Sequence, residues 1–223
     1  MQSYLLKNAK QKAVIFDLDG TLLDTLEDLK NAVNAALAQF HMPERTLEEV
    51  RRFVGNGLRN LMIKAVLDGD KNPDFEKVFA FFKSYYKEHC KEHTAPYEGV
   101  LPMMKELALR GVKMAIVSNK IDAAVKELNE EHFCSYTSVA IGETPDMARK
   151  PAPDMVNEAI KLLGVLKEDV IYVGDSDVDI QTAENANLTC VSVTWGFRDE
   201  AFLKEHGAKI LIHHPQELLE LLG

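Results

Sequence analysis

Six short apolar runs without alternation constrain this chain more than any other feature. They are Ala13–Phe16, Met114–Val117, Val139–Ile141, Val170–Val173, Cys190–Val193 and Ile210–Ile212. A strand with one wet face alternates apolar and polar residues. A continuous apolar run of this length suits a strand covered on both faces, as in a parallel sheet lying between helices. Amphipathic stretches separate most of the runs. Val100, Leu101, Met104, Leu107 and Ala108 recur at helical spacing and stop at Gly111; Met155, Val156, Ala159, Ile160 and Leu163 do the same and stop at Gly164. Glycine closes a helix readily, so both stops read as helix ends. The alternation predicts an α/β fold built on a doubly wound, mainly parallel sheet.

Between the first and second runs lies an insert, roughly Leu23 to Glu92, with helical patterns and no convincing strand. Leu26, Leu29, Val33, Leu37 and Phe40 form one stripe, and Leu58, Leu61, Met62 and Ala65 a second. Phe75, Phe79, Phe82 and Tyr86 form a third, opened by Pro73-Asp74, and core packing is the reading for these aromatics. A crossover between parallel strands needs one helix, so three or four imply a separate helical subdomain. The expected division is a core of 1–22 and 93–223 with a helical domain of 23–92.

The chain has 223 residues, enough for one large domain or a core with a smaller insert. Lys plus Arg is 26 and Asp plus Glu 35, a formal net charge of −9. Nucleic acid and anionic membranes both select clustered positive charge, so neither is an expected partner. No apolar run approaches a membrane span, and the N-terminus does not read as a signal sequence. Cys90, Cys134 and Cys190 are scattered without CxxC spacing and read as reduced, mostly buried thiols in a reducing compartment. A cytoplasmic protein, monomer or homodimer, is the expectation.

The residues just beyond the predicted strands carry the chemistry, because open parallel sheets bind ligands at the carboxyl ends of their strands. The first run ends in Asp17-Leu18-Asp19-Gly20-Thr21, the second in Ser118-Asn119, and the fourth in Gly174-Asp175-Ser176-Asp177-Val178-Asp179. Arg149-Lys150-Pro151 precedes the helix opened by Pro153-Asp154. Carboxylates gathered in a partly desolvated cleft repel one another unless a cation sits among them. Oxygen-only ligands favour a hard ion such as Mg²⁺, and no Cys/His cluster suggests zinc. The neighbouring His213-His214, placed on opposite faces if that run is a strand, read as structural or surface residues. Alone, each acid is an ordinary strand-end residue, Ser118 a helix cap, Lys150 a surface charge, and Gly20 and Gly174 turn formers. Their order along the chain sets them apart.

In order and in spacing, these segments resemble the four motifs of the haloacid dehalogenase superfamily, and the likeness runs from Ala13 to Leu222. The resemblance implies Asp17 as a nucleophile that carries an aspartyl-phosphate, and Asp19 as general acid and base. It implies Mg²⁺ held by the side chains of Asp17 and Asp175 and the backbone carbonyl of Asp19. Ser118 and the Asn119 backbone N–H would hold the phosphoryl oxygens, and Lys150 would balance charge on Asp17 and phosphate. Asp179 would hold a metal-bound water or orient Lys150, with Thr21 as a further supporting residue. Asp177 falls at a variable position and reads as surface.

The helical insert resembles the cap of the phosphoglycolate phosphatase-like branch, as do Ser118-Asn119-Lys120 and Val193-Thr194-Trp195-Gly196-Phe197. Within the insert, Val54-Gly55-Asn56-Gly57-Leu58 resembles a loop that faces the active site there. Gly55, Asn56 and Gly57 would offer backbone N–H groups to a substrate carboxylate, and Arg59 would add charge. The alternative for this segment is a plain turn with a solvent-facing arginine. The implied activity is Mg²⁺-dependent hydrolysis of a small phosphorylated metabolite, with 2-phosphoglycolate as the leading substrate. A sugar phosphate mutase of the β-phosphoglucomutase kind and an inorganic pyrophosphatase are the alternatives within the superfamily. A phosphoacceptor module that retains its phosphoryl group is the alternative of a different class. A dehalogenase is disfavoured, because the second acid of the first motif, Asp19, belongs to phosphoryl chemistry.

Overall fold

The computed structural model describes residues 12–55 and 57–223 of the chain. Each apolar run lies within a strand. In chain order the strands are β1 (Ala13–Phe16), β2 (Leu23–Asp24), β3 (Ala95–Pro96), β4 (Lys113–Ile121), β5 (Val139–Glu143), β6 (Val170–Gly174), β7 (Thr189–Val193) and β8 (Ile210–Ile212). The helices are α1 (Leu26–Gln39), α2 (Leu47–Phe53), α3 (Gly57–Ala65), α4 (Phe75–His89), α5 (Val100–Leu109), α6 (Asp122–His132), α7 (Asp154–Leu163), α8 (Asp177–Asn185), α9 (Glu200–Glu205) and α10 (Pro215–Leu222).

Six strands form one sheet in the order β5-β4-β1-β6-β7-β8, with every pairing parallel. The chain builds outward from β1 through β4 to β5, then returns to the other side of β1 and continues through β6 to β8. The strand order therefore reverses between β1 and β6, a topological switch point where crossover connections diverge and leave a crevice. The absence of alternation in the strands has its cause here. All four residues of β1 and all five of β6 are buried, with helices supplying the apolar cover. One core layer joins Ile15, Val117 and Tyr172 of the sheet to Met155, Val156 and Ala159 of α7.

The chain divides into two compact units, one comprising 23–95 and the other the remainder. The second crossing thus falls at 95/96 rather than at the expected 92/93. The backbone N–H groups of His93 and Thr94 donate to the Asp28 carboxylate of α1, at 3.0 and 2.9 Å, which keeps these residues with the helical unit. The insert also begins with a short strand where none was expected: β2 pairs with β3 in a separate two-stranded ribbon.

The helical unit packs α1 to α4 around Leu29, Val33, Leu37, Val50, Leu61, Met62, Phe75, Val78 and Phe82. Three of the aromatic stripe on α4, Phe75, Phe82 and Tyr86, are buried. The Phe82 and Tyr86 rings stack with centroids 5.7 Å apart, as core packing requires. A helix that periodicity did not delimit, α2, starts on a capping box formed by Thr46 and Glu49. Among the described residues no helix is long and apolar enough to cross a membrane. No disulfide joins the three cysteines among the described residues, but they are not mostly buried as expected: Cys134 is exposed, and Cys90 and Cys190 are half-buried.

Candidate active site

Strand register assembles the site. Phe16 pairs with Ile116 on one side and Val173 on the other, so the residues after each of these strands leave the sheet at the same edge, beside the switch point. The Asp17 N–H still donates to the Val173 carbonyl at 2.9 Å, which carries the ladder one residue further and fixes the Asp17 backbone. On β4 the register slips between Val117 and Ile121: four steps along β4 match two along β5. Ser118, Asn119 and Lys120 occupy this irregularity, and bulges commonly re-aim side chains beside functional sites.

Among the described residues, one set of acidic, histidine or cysteine side chains converges as a cation site would require. A carboxylate oxygen from each of Asp17, Asp175 and Asp179 lies within 4.8 Å of the others. All three residues are buried. Lys150 stands among them, 3% exposed, with its Nζ 2.8 Å from both Asp17 Oδ1 and Asp179 Oδ1 and donating to the Tyr172 hydroxyl at 3.1 Å. Tyr172 in turn donates to Asp179 Oδ1 at 2.9 Å. The ammonium's three hydrogens thus have three partners in the protein. Burial works against the charge on Lys150, but Asp17 and Asp179 outweigh it and raise its pKa above the ordinary lysine value.

The carboxyl groups respond in the opposite sense. Burial raises the pKa of Asp17 well above the usual range; Lys150 opposes this, while Asp179 and Asp175 add to it. Asp175 is pushed up to about 7, first by burial and then by Asp179, against the Phe197 N–H and the Arg198 and Lys150 charges. Three buried carboxylates and one ammonium leave an excess of negative charge when ionised. An added hard cation would offset it, and the donor set, all oxygen, suits Mg²⁺.

Supporting contacts fix each acid. Asp175 accepts from the Phe197 N–H at 2.7 Å and from the Thr21 hydroxyl at 3.4 Å. The Trp195 indole donates to the Thr21 carbonyl at 3.0 Å, tying the loop after β7 to the loop after β1. Asp179 serves twice: it completes a capping box with Ser176 at the start of α8 and receives Lys150 and Tyr172 on its other oxygen. Its side chain explains Gly174, where a Cβ would fall 2.3 Å from Asp179 Cγ. Gly20 combines a positive φ of 85° with a Cβ position 2.4 Å from Asp175 Oδ2, which no other residue satisfies without displacement.

The remaining residues expected from the sequence fall into two places. Ser118 is buried on the rim, its Oγ accepting from the Lys120 N–H at 3.2 Å. The Asn119 side chain spans to the Lys150 backbone, donating to its carbonyl at 3.0 Å and accepting from its N–H at 2.8 Å. Asp19 stands apart from the three converging acids, with its two carboxylate oxygens 3.0 and 3.4 Å from Lys120 Nζ. In the helical unit, Gly55 and Gly57 have φ of 121° and 78°; Asn56 lies outside the described residues. Arg59 is exposed, bonded to Glu76 at 3.2 Å and set over the rings of Phe75 and Phe79 at 5.1 and 5.4 Å. His213 and His214 lie just past β8, not within it: the His213 ring meets Thr194 Oγ1 at 2.9 Å, and both backbone N–H groups donate to Glu217.

Sequence reasoning assigned no site role to Tyr172 or Ser176, and none to Lys120 beyond a likeness. Tyr172 carried a signal, a hydroxyl in the middle of an otherwise aliphatic buried strand, since such a group needs a partner. Ser176 carried another, three residues before an acid at a helix start.

Comparison with known proteins finds a matching family and several relatives. The family model described as haloacid dehalogenase-like hydrolase matches residues 14–193. Phosphoglycolate phosphatase 1 of Pseudomonas aeruginosa is 34% identical over 215 residues, covering 93% of this chain and 78% of the relative. Phosphoglycolate phosphatase of Chromobacterium violaceum is 30% identical over 216 residues, covering 95% and 96%. A solved structure from Lactobacillus delbrueckii subsp. bulgaricus, provisionally described as a phosphoglycolate phosphatase, superposes with a TM-score of 0.91 at 38% identity. It covers 95% of this chain and 98% of that one.

Proposed function

Since the chain belongs to the haloacid dehalogenase-like hydrolase family, we propose that it hydrolyses a small phosphomonoester by way of a phosphoryl group carried on Asp17. The observation that carries this reading is the Asp17 carboxylate, buried at the switch point and held 2.8 Å from the Lys150 ammonium. A carboxylate attacks a phosphate dianion only where its own charge and that of the phosphate are offset.

Each residue has a defined part. An Asp17 oxygen attacks phosphorus; the ester oxygen leaves and takes a proton from Asp19. Water then attacks the phosphoryl group, Asp19 takes the water's proton, and the Asp17 oxygen is released. Ser118 and the Asn119 backbone N–H hold the phosphoryl oxygens. Lys150 neutralises Asp17 and Asp179, and Asn119 ties down the loop that carries it. Asp17 and Asp175, with the Asp19 carbonyl, would hold Mg²⁺; the bound ion would supply positive charge opposite the developing charge on the phosphoryl oxygens. Asp179, already engaged by Lys150, Tyr172 and Ser176, orients Lys150.

The substrate proposed is 2-phosphoglycolate, on the strength of relatives bearing that name across nearly the whole chain. Selection for the substrate's carboxylate is assigned to Gly55, Asn56, Gly57 and Arg59. The test is phosphate release from a panel of small phosphomonoesters and pyrophosphate, with Mg²⁺ and with chelator. Continuous Mg²⁺-dependent release, fastest from 2-phosphoglycolate, is the expected result. Release of a single equivalent, or conversion of a sugar phosphate to its isomer, would overturn the hydrolase reading. A different best substrate would overturn only the substrate.

A further inference from the structure

We propose that Lys120 is a positioning residue for the acid–base carboxylate Asp19, separate in its task from Lys150; the inference rests on the phosphatase reading above. Lysine is seldom buried without a partner, and the Lys120 side chain is 6% exposed. It reaches Asp19 across 101 residues of sequence and addresses both oxygens, at 3.0 and 3.4 Å. Its backbone is held as well, the N–H donating to Ser118 Oγ at 3.2 Å. Ser118 and Lys120 both lie within the β4 irregularity between Val117 and Ile121, so one segment carries the proposed phosphate ligand and the lysine together.

The two lysines divide the site. Lys150 faces Asp17 and Asp179, the acids that converge. Lys120 faces the acid that does not join them. A carboxylate that gives a proton to a leaving oxygen must present one particular oxygen in one particular direction, and small errors of placement cost large factors in rate. An ammonium spanning both Asp19 oxygens fixes the plane of the carboxyl group. Lys120 itself transfers no proton: in the first step the Asp17 O–P bond forms, the ester P–O bond breaks and the proton passes from Asp19 to the departing oxygen.

Leaving-group dependence separates this role from a role in binding the substrate anion. An alkyl phosphomonoester has a strongly basic leaving oxygen and needs the proton, whereas p-nitrophenyl phosphate has a weakly basic one and needs it little. Lys120→Met is expected to lower kcat/KM for 2-phosphoglycolate ~10- to 100-fold, part of the gain usual for general acid catalysis. The loss on p-nitrophenyl phosphate is expected to stay within ~3-fold, with KM little changed for either. Lys120→Arg restores most of the alkyl-ester rate. In an Asp19→Asn background Lys120→Met adds no further loss, since both changes remove one function. Lys120→Gln is the second variant should the methionine protein not fold, as judged by thermal unfolding. Equal losses on both esters, a KM effect alone, or additivity with Asp19→Asn would overturn the assignment to Lys120. Wild-type protein inactive on both esters, or an active Asp17→Asn, would instead overturn the phosphatase reading beneath it.

Discussion

Two cationic side chains, Lys150 in the sheet unit and Arg59 in the helical unit, have opposite environments. The side chain of Lys150 is 3% exposed and meets acids from distant parts of the chain, 29 residues away at Asp179 and far beyond at Asp17. The side chain of Arg59 is 48% exposed, as its partner Glu76 is 71% exposed, and both stand on neighbouring helices of one small bundle. Water competes for the Arg59–Glu76 pair and has little access to the contacts of Lys150. A buried charge held by the fold is committed to one task, whereas an exposed pair can be exchanged for another anion at small cost. The proposed function accordingly assigns the chemistry to the first kind of site and the choice of substrate to the second.

The largest effects are therefore expected at the buried acids and their lysine. Asp17→Asn should remove at least ~10³-fold of turnover with the fold retained, measured as phosphate release beside an unfolding curve. Lys150→Met should cost stability as well as activity. It leaves the buried Asp17 and Asp179 carboxylates without their counter-charge, a loss of ~3–5 kcal/mol by denaturant unfolding in chelator. A Lys150→Met protein as stable as wild type would erase the contrast with Arg59.

Next comes pH. Burial, then Asp179, raises Asp175 to about 7 in the folded protein, against ~3.9 in an unfolded chain. The folded state thus binds the proton more tightly. Its contribution is fully present below pH ~4 and is lost as pH rises through about 7. Metal-free protein should accordingly unfold more readily at pH 8 than at pH 5, by on the order of 3 kcal/mol. Saturating Mg²⁺ should reduce the difference, because a cation favours the ionised carboxylates. Asp175→Asn should reduce the dependence in chelator without abolishing it, since burial raises Asp17 in the same sense; an unchanged slope would assign it to Asp17 alone.

Legibility in the sequence follows the same division. The six strands were readable because burial on both faces removes polar residues from them, leaving short apolar runs; a similar run in the helical unit, Val78–Phe82, sits within the longer helical periodicity of α4. The rim residues were readable because parallel strands deliver their ends to one edge whatever the loops contain. Tyr172, Phe197 and Lys120 were harder. Tyr172 sits inside a run that reads as core; the Phe197 contribution is a backbone N–H, which every residue but proline possesses. Lys120 depends on a slip of register that apolar patterning does not record. The crossing at 95/96 was displaced by side-chain capture of backbone, the Asp28 carboxylate holding His93 and Thr94, which periodicity cannot reveal. The helical unit was legible as a bundle from its stripes, yet α2 is a short helix defined by its cap more than by its apolar face.

A smaller effect sharpens what the supporting loop does. At Gly196 a Cβ would lie 2.3 Å from the Gly20 carbonyl and 2.6 Å from Asp175 Oδ2. Gly196→Ala must therefore push Asp175 or the loop after β1 out of place. Mg²⁺ binding measured by calorimetry should weaken ~10- to 100-fold, the range usual for disturbed supports of metal ligands. Trp195→Phe removes only the indole bond to Thr21 and should weaken binding less. Equal affinities in all three proteins would detach this loop from the metal site.

The smallest effect is expected at Arg59. Replacing it by Ala removes an exposed pair and two ring contacts, so thermal unfolding should move little. The rate with p-nitrophenyl phosphate, which has no carboxylate, should stay near wild type. The preference for 2-phosphoglycolate over that ester should fall ~3- to 10-fold, within the range that a single exchanged contact produces. Glu76→Gln is the complementary change: it frees the guanidinium from its present anion without removing it, and the same preference should rise or hold. If both variants reduce activity on every ester alike, Arg59 supports the bundle instead. If neither moves the ranking, the proposed choice of substrate passes to the backbone of Gly55 and Gly57, both of positive φ.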